Sequence, residues 1–215
     1  MENIDERQIL VVGTGSEARI AADIYTAMGH VILGFLETDP DRNIRELNDV
    51  NVVGHYDDDA AKAVLKDSRV EFVVAVGDIA ERVRVYSKLS KRAKRPSANA
   101  IHPLSWQSPY ATLGFGNLFN AGVVVNANTV IGDMNHFHSG VTVETDARIG
   151  NYCNFSAGVR IGGNVTVDDA VFIGTGAVIY PGVHLGEGCM IGAGSVVLKS
   201  VDPRKKVFGN PAQVV

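Results

Sequence analysis

A strict six-residue repeat in the second half of the chain constrains the fold more than any other feature. Stepping by six from Leu113 reaches fifteen bulky apolar residues in succession: Leu113, Phe119, Val125, Ile131, Phe137, Val143, Ile149, Phe155, Ile161, Val167, Ile173, Ile179, Leu185, Ile191 and Val197. The residue two places earlier is small or β-branched from Val141 onward, and from Ile131 onward glycine directly follows six of the bulky positions. An α-helix needs apolar spacing near 3.6 and hairpin strands alternate, so the repeat fits neither.

Short strands joined by tight turns satisfy this repeat. Three six-residue units close one coil of a triangular prism, and successive coils stack about 4.8 Å apart. The bulky residue fills the interior, the small residue packs beside it, and glycine or asparagine supplies the turn dihedrals. We therefore predict a parallel β-helix of hexapeptide repeats over residues 99–215.

The prism also predicts the state of the two cysteines. Cys153 and Cys189 are separated by six hexads, which places them on one face, two coils from each other. The resulting separation of about 9–10 Å is too long for an unstrained disulfide. Two free, small core residues fit a reducing compartment, so the sequence indicates a cytoplasmic protein.

Residues 1–98 predict a separate α/β domain. Ile9–Val12 is a continuous apolar run, as in a buried parallel strand, and a helical pattern follows from Ala18 to Met28. Further strands are predicted at Val31–Leu36 and Phe72–Val76, and an amphipathic helix with a basic, solvated face at 79–95. At about 95 residues this is half of a dinucleotide fold, βαβαβ, sized for a mononucleotide.

The turns of this domain carry the candidate ligand residues. Gly13 allows the tight turn after the first strand, and Gly15 lets a phosphate approach the free N–H groups of the helix. Glu37 ends the second strand, where an acid can meet a ribose hydroxyl, and Gly77 and Asp78 end the next strand. The alternative is a purely structural βα unit, because the glycine pattern alone is a weak signal.

Composition excludes several classes of function. The 215 residues carry a net charge of −4, which does not suit a nucleic-acid or membrane-surface protein. The first segment lacks the basic and apolar regions of a signal peptide, and no apolar run approaches the length of a membrane-spanning helix. A protein without nucleic-acid or membrane partners is expected.

The order of these motifs resembles the bacterial sugar O-/N-acyltransferases, which include the acetyltransferases of nucleotide-linked amino sugars and the sialic acid O-acetyltransferases. The resemblance covers nearly the whole chain. It is carried by VVGTGSEA, by FLETD and VAVGD at strand ends, by the hexapeptide repeat, and by the motifs Ile101-His102-Pro103 and Phe208-Gly209-Asn210-Pro211-Ala212.

The resemblance implies a left-handed β-helix, a homotrimer, and acetyl-CoA as acyl donor in a groove between neighbouring prisms. A nucleotide-linked amino sugar is the implied acceptor, and no metal is implied. Cofactor contacts carried over by position are Asn154, Gly174, Gly192, Gly209 and Pro211. Acceptor contacts carried over by position are Gly13, Gly15, Glu17, Glu37, Gly77 and Asp78.

The sequence departs from the family at three histidines. The catalytic histidine of the family matches Thr145, between Glu144 and Asp146, and two further family histidines match Asn154 and Glu17. A threonine hydroxyl is not basic enough near neutral pH to replace imidazole. Because an alcohol depends on a base more than an amine does, the change favours N-acylation over O-acylation.

Two nearby histidines are candidates for a displaced base. His136 lies one coil before Asn154, and His138 lies one coil before Ser156, at a position where the family has an asparagine lining the acceptor pocket. Either could pair with Glu144 or Asp146. Alternatively, both are exposed residues of the prism wall without a role in proton transfer.

The favoured function is an acetyl-CoA-dependent N-acetyltransferase acting on a nucleotide-linked amino sugar for surface glycan synthesis. The alternatives are a sugar O-acyltransferase, a transferase of longer acyl groups, or a catalytically silent regulatory homologue. A metal site of the γ-carbonic anhydrase kind would need histidines across a trimer seam, of which His136 and His138 supply at most part.

Overall fold

The computed structural model describes residues 7–42 and 44–215. The chain divides into two compact units between Pro103 and Leu104, and the sequence-based boundary lies at residue 98. The acidic segment before Arg7, for which no signal peptide is predicted, lies outside the described residues. In the described chain, each helix is too short or too polar to cross a lipid bilayer.

The first unit contains a five-stranded sheet in the order β3-β4-β2-β1-β5, parallel except where β3 meets β4. Its strands are β1 (Gln8–Val12), β2 (Val31–Glu37), β3 (Glu46–Leu47), β4 (Val50–His55) and β5 (Val70–Val74). Its helices are α1 (Ser16–Ala27), α2 (Asp59–Lys66) and α3 (Ile79–Ala93), and a short strand β6 (Ala100–Ile101) follows. The apolar run in β1 is buried inside the sheet, between β2 and β5.

The predicted strands and helices of this unit are all present, but the sequence missed β3, β4 and α2. Strand β4 is a half-buried strand of six residues and α2 spans only eight, so neither shows a long periodic pattern. Strand β5 ends at Val74, two residues earlier than predicted, because Ala75 makes the last backbone bond to Val12 before the chain turns.

The basic face of α3 is exposed to solvent, as predicted, and three of its cations also have partners within the unit. Lys88 and Arg92 form ion pairs with Asp57, at 3.3 and 2.5 Å, and Arg84 donates a hydrogen bond of 2.8 Å to the Tyr56 hydroxyl. The Arg92 guanidinium, and then the Lys88 ammonium, hold the pKa of Asp57 below its usual range. These cations therefore join α3 to the turn after β4.

The second unit is a prism of two-residue strands closed by a C-terminal hairpin. The strands are β7 (Trp106–Gln107), β8 (Thr112–Leu113), β9 (Leu118–Phe119), β10 (Val124–Val125), β11 (Val130–Ile131), β12 (His136–Phe137), β13 (Thr142–Val143), β14 (Arg148–Ile149), β15 (Asn154–Phe155), β16 (Arg160–Ile161), β17 (Thr166–Val167), β18 (Phe172–Ile173), β19 (Val178–Ile179), β20 (His184–Leu185), β21 (Met190–Ile191), β22 (Val196–Val197), β23 (Lys206–Gly209) and β24 (Ala212–Val214).

Each two-residue strand from β7 to β19 pairs in parallel with the strand three places later, so residues one coil apart are neighbours. His136 pairs with Asn154, as the repeat predicts. Three faces result: one runs from β7 to β22, one from β8 to β20, and one from β9 through β23 to β24. The predicted three-strand coil is confirmed.

The interior of the prism is filled by stacked apolar residues and one buried polar ladder. Phe137 and Phe155 stack with ring centroids 4.4 Å apart and an interplanar angle of 4°. Beside them, Asn135 Nδ2 donates to the Gly150 carbonyl at 2.9 Å, and Asn135 Oδ1 accepts from the Cys153 amide at 2.7 Å. The ladder satisfies backbone groups that burial would otherwise leave without partners.

The predicted role of the glycines that follow the bulky core residues is wrong. Those glycines do not have positive φ; a Cβ on Gly174 would lie 2.5 Å from the Ala193 backbone nitrogen of the next coil, so their role is close packing. Positive φ occurs instead three places after each core residue, at every sixth position from 116 to 194. Eight of these positions are glycine, while Met134, Asp146 and Tyr152 are among the others.

We predict that Asn135→Leu destabilises the prism by about 3 kcal/mol, because it leaves the Gly150 carbonyl and the Cys153 amide buried without partners. The matched control is Asn126→Ala, which removes a bond to the exposed Glu144 and should cost under about 1 kcal/mol. Urea unfolding of the full chain measures both changes. Equal midpoints for the two variants would contradict the importance of the ladder.

Both cysteines should be inert in the folded protein. Cys153 and Cys189 are buried and form no disulfide, and burial raises the pKa of the Cys189 thiol to about 11. At pH 8 the reactive thiolate is therefore scarce, and it becomes more abundant only as the pH rises toward 11. An aromatic disulfide reagent should label neither thiol in native protein and both in guanidinium chloride. Rapid labelling of the native chain would show that the prism opens.

Candidate active site

The glycine-rich turn between β1 and α1 is shaped by one glycine and left open by the other. Gly13 has φ +123°, and a Cβ there would lie 2.4 Å from the Ala75 carbonyl oxygen. Gly15 has an ordinary φ of −81° and precedes α1, and a Cβ there would meet only the Glu17 carboxylate, at 3.6 Å. Gly13 is therefore required by the fold, whereas Gly15 leaves space beside the first helical N–H groups.

Glu37 holds the turn from the end of β2. The side chain is buried, and its Oε2 accepts a hydrogen bond of 2.7 Å from the Thr14 hydroxyl. Its Oε1 accepts from the backbone N–H groups of Thr38 and Asp39, at 2.8 and 3.1 Å. These contacts fix the shape of the crevice. The sequence did not indicate the bond from Thr14, because that bond joins two segments that are 23 residues apart along the chain.

The Glu17 side chain lies against Gly77 on another wall of the crevice. Ser16 Oγ donates 2.9 Å to the Glu17 carboxylate, and a Cβ on Gly77 would lie 2.7 Å from that carboxylate. A carboxylate in the first turn of α1 interacts favourably with the helix dipole. Glu17 therefore brings negative charge to this end of the crevice.

Asp78 and Arg82 shape the third strand end. Asp78 Oδ1 accepts from the Glu81 amide at 2.8 Å, so this predicted ligand residue is the N-cap of α3. Arg82 is fully buried and donates 2.7 Å to the Val76 carbonyl, beside Gly77. Arg82 could not be singled out from the sequence, because its position within a basic helix resembles that of its exposed neighbours.

Two cavities open along the crevice, and Arg42 lines both. The smaller, about 80 Å³, is lined by the glycine-rich turn, Thr38, Arg42, Ala75, Val76, Gly77 and Glu81. The larger, about 300 Å³, is lined by Glu37, Asp39, Pro40, Arg42, Ile44, Arg45, Val52, Gly54 and His55. Arg42 was missed by sequence reasoning, because it lies in an irregular loop without periodicity.

Thr145 is exposed on a corner of the prism, between β13 and β14. The side chains of its two neighbours accept hydrogen bonds from the preceding coil: Asn126 Nδ2 donates to Glu144 and Asn128 Nδ2 donates to Asp146, each at 3.1 Å. Asp146 has φ +61°. The two carboxylates are therefore fixed on either side of a hydroxyl that is available to solvent.

The two histidines are placed differently. His136 is fully buried, so the interpretation of it as an exposed wall residue is wrong. His138 is partly exposed and follows β12, at the preceding edge of the prism. Glu144 and Asp146 follow β13, which is the next strand along the chain.

The predicted cofactor residues lie in the upper coils and the C-terminal hairpin. Asn154 stacks on His136, and Gly192 packs against the Phe208 ring. Gly209 donates its N–H to Ser195 Oγ at 3.1 Å. Pro211 follows a cis peptide bond and borders a cavity of about 340 Å³, with residues 197–202, Lys205, Val207 and 212–214. No group of three or more metal-binding side chains occurs in the described ranges.

Comparison with known proteins identifies both units. The PglD N-terminal domain model matches residues 8–89, and the bacterial transferase hexapeptide model matches residues 128–163 and 164–199. An alanine variant of GDP-perosamine N-acetyltransferase from Caulobacter crescentus, solved with CoA and GDP-perosamine, is 30% identical over 97% of this chain and 96% of that chain, with a TM-score of 0.87. The chain belongs to the bacterial sugar acyltransferase family.

Two further structures are similar to this acyltransferase. The acetyltransferase domain of PglB from Neisseria gonorrhoeae FA1090 is 27% identical, with 98% and 100% of the two chains covered and a TM-score of 0.86. WeeI from Acinetobacter baumannii AYE is 23% identical, with 97% and 100% covered and a TM-score of 0.83, and supports the fold. No match is found among curated protein sequences.

The resemblance drawn from the sequence is therefore confirmed, together with its fold class. The protein is an acyltransferase enzyme with a Rossmann-like N-terminal unit and a left-handed parallel β-helix. The roles of individual site residues remain predictions.

The two glycines of the turn provide a matched pair of variants. Gly13→Ala should destabilise the protein by about 2–4 kcal/mol, because the methyl group meets the Ala75 carbonyl and the backbone conformation is strained. Gly15→Ala should change stability by less than about 0.5 kcal/mol, yet its methyl group enters the small cavity and should weaken nucleotide binding. Thermal unfolding and calorimetric titration with nucleoside diphosphates separate the two effects. Equal destabilisation by both variants would contradict this division of roles.

Proposed function

We propose that this acyltransferase moves an acetyl group from acetyl-CoA to the amine of a nucleotide-linked amino sugar, in the cytoplasm, for surface glycan synthesis. One observation carries the proposal. The similar N-acetyltransferase that was solved with CoA and GDP-perosamine matches 97% of this chain, across both units. A similarity confined to the β-helix would have supported only acyl transfer.

The reaction requires a neutral amine, a positioned thioester and support for the oxyanion. The amine nitrogen attacks the thioester carbonyl carbon, and a tetrahedral intermediate forms. The carbon–sulfur bond then breaks, CoA leaves as a thiolate, and the proton lost by the amine balances that charge. A residue that accepts this proton at the moment of attack accelerates the step by about 10²–10⁴-fold.

His138 is the residue we assign to this proton. It is partly exposed at a prism edge, whereas His136 is buried and Thr145 has no basic atom of use at neutral pH. Glu144 and Asp146 keep their carboxylates oriented through Asn126 and Asn128. They serve to attract the ammonium form of the acceptor rather than to deprotonate it, since a close carboxylate stabilises the charged amine.

The donor is assigned to the prism edge that carries Thr145. Lys199 follows Thr145 by nine hexads, which make three whole coils, so it lies on the same edge about 14 Å away. Lys199 borders the cavity beside Pro211, where Lys205 adds a second cation. Acetyl-CoA extended along this edge places its phosphates near the lysines and its thioester near Thr145.

A homotrimer completes the proposed site. The outward residues of the face that runs from β7 to β22 include Trp106, Val124, Val178 and Val196, and Trp106 is 59% exposed. Four of the six outward residues of this face are apolar, and Thr142 and the exposed Arg160 are the other two. The apolar side chains favour association with further copies of the chain. Association also brings the His138 edge of one chain toward the Thr145 edge of another.

An acetylation assay tests this function. Purified protein with acetyl-CoA should release CoA in the presence of at least one of the UDP-, dTDP- or GDP-linked amino sugars. His138→Ala should lower kcat by about 10²-fold or more, because the proton acceptor is lost, while the KM for acetyl-CoA stays unchanged.

The control is His184→Ala, which removes an exposed histidine paired with Asp168 on another face and should leave kcat unchanged. Thr145→His should raise the rate by restoring a base beside the oriented carboxylates. Light scattering must show the same assembled mass for every variant. Absence of acetylation with the entire panel would refute the proposed acceptor class, and equal rates for the two histidine-to-alanine variants would refute the role of His138.

A further inference from the structure

The acceptor crevice has an unusual distribution of charge. One wall carries the Glu17 carboxylate over Gly77, and Glu81 lines the small cavity while it lies 3.6 Å from Arg84. The buried carboxylate of Glu37 lies beneath the turn. A diphosphate placed here would be repelled unless a cation faces it.

Among the described residues that line the small cavity, Arg42 carries the positive charge. Its Nη1 lies 3.4 Å from Thr14 Oγ1, whose hydrogen is donated to Glu37, so the guanidinium approaches the glycine-rich turn from the loop after β2. A guanidinium presents a planar fork of N–H groups that matches two phosphate oxygens, and the charge-assisted bonds are about twice as strong as neutral ones.

The larger cavity lies on the other side of the same residue. Arg42 belongs to the lining of both spaces, one of about 80 Å³ and one of about 300 Å³. The larger space has aliphatic walls at Ile44 and Val52, with His55 at its edge, and its size suits a nucleoside. His55 Nδ1 accepts from the Asp57 amide at 3.2 Å, which leaves Nε2 as the donor that faces the Thr38 carbonyl.

We propose that Arg42 binds the diphosphate of the acceptor and separates it from the nucleoside, which occupies the cavity beside Ile44 and Val52. The inference rests on the proposed function for its ligand class, a nucleoside diphosphate. Arg42 is a positioning residue: it sets where the sugar emerges from the crevice and takes no part in acyl transfer. Its positive charge attracts the diphosphate, which the negatively charged wall with Glu17 cannot do.

Calorimetric titration with GDP, UDP and dTDP and with the matching nucleosides tests the assignment without turnover. The decisive quantity is the ratio of diphosphate affinity to nucleoside affinity. Arg42→Gln should lower this ratio by about 10–100-fold, and Arg42→Lys should restore part of it, since lysine keeps the charge but not the fork.

Two controls separate charge from structure. Arg19→Gln removes the same charge from an exposed position of α1 that lines neither cavity, and should leave the ratio unchanged. Val52→Phe fills the larger cavity alone, and should weaken nucleoside and diphosphate equally. A ratio that is unaffected by Arg42→Gln would overturn the assignment, as would an equal loss in Arg19→Gln.

The binding test and the acetylation test fail independently. Nucleoside diphosphates that bind with the expected ratio, combined with no acetylated sugar in the panel, would refute the proposed function and leave the Arg42 assignment intact. Acetylation of a nucleotide sugar with an unchanged KM in Arg42→Gln would refute the assignment and leave the proposed function intact. Wild-type protein that binds neither nucleosides nor diphosphates would overturn the assignment.

Discussion

The second unit depends on one constraint: each coil must close in three hexads so that every strand finds its parallel partner in the next coil. Backbone bonds of about 2.9 Å between coils, such as His136 N–H to the Cys153 carbonyl, repeat from Trp106 onward. Two-residue strands contribute few bonds each, so stability comes from stacking many of them over a continuous apolar interior. The turns between strands allow this stacking, since each corner from residue 116 to residue 194 contains one residue in the left-handed conformation.

Periodic features of the fold could be predicted from sequence, and contacts between distant segments could not. The hexad residues from Leu113 to Val197 determined the strand positions and the pairing of residues one coil apart, because a single repeat sets both. The same repeat led to a wrong prediction of which residues form the turns. Glycine is abundant after the core residue because coils pack closely there. Met134 and Tyr152 adopt the left-handed conformation that glycine usually adopts.

The first unit shows the opposite balance. Its glycine-rich turn and strand ends were visible in the sequence, but Glu37 is held by Thr14 and by backbone amides, and Asp78 caps a helix. Both acids are used internally, although their types suggested ligands. Arg42 had no local signal, since its importance arises from the position of its loop beside the turn. Residue types in a motif indicate the location of a crevice better than they indicate which atoms remain available.

The ladder of Asn117, Asn135 and Cys153 has a consequence for how this protein can change in length. Its members must remain one coil apart on one edge, because each bonds the backbone of the next coil. Insertion of a whole coil would preserve the angular phase of every later residue. Insertion of a single hexad would rotate all later residues by a third of a turn, and would carry the lysine-bordered C-terminal cavity away from the edge that bears Thr145. The number of hexads between Thr145 and this cavity can therefore change only in multiples of three, whatever the sequence of those hexads.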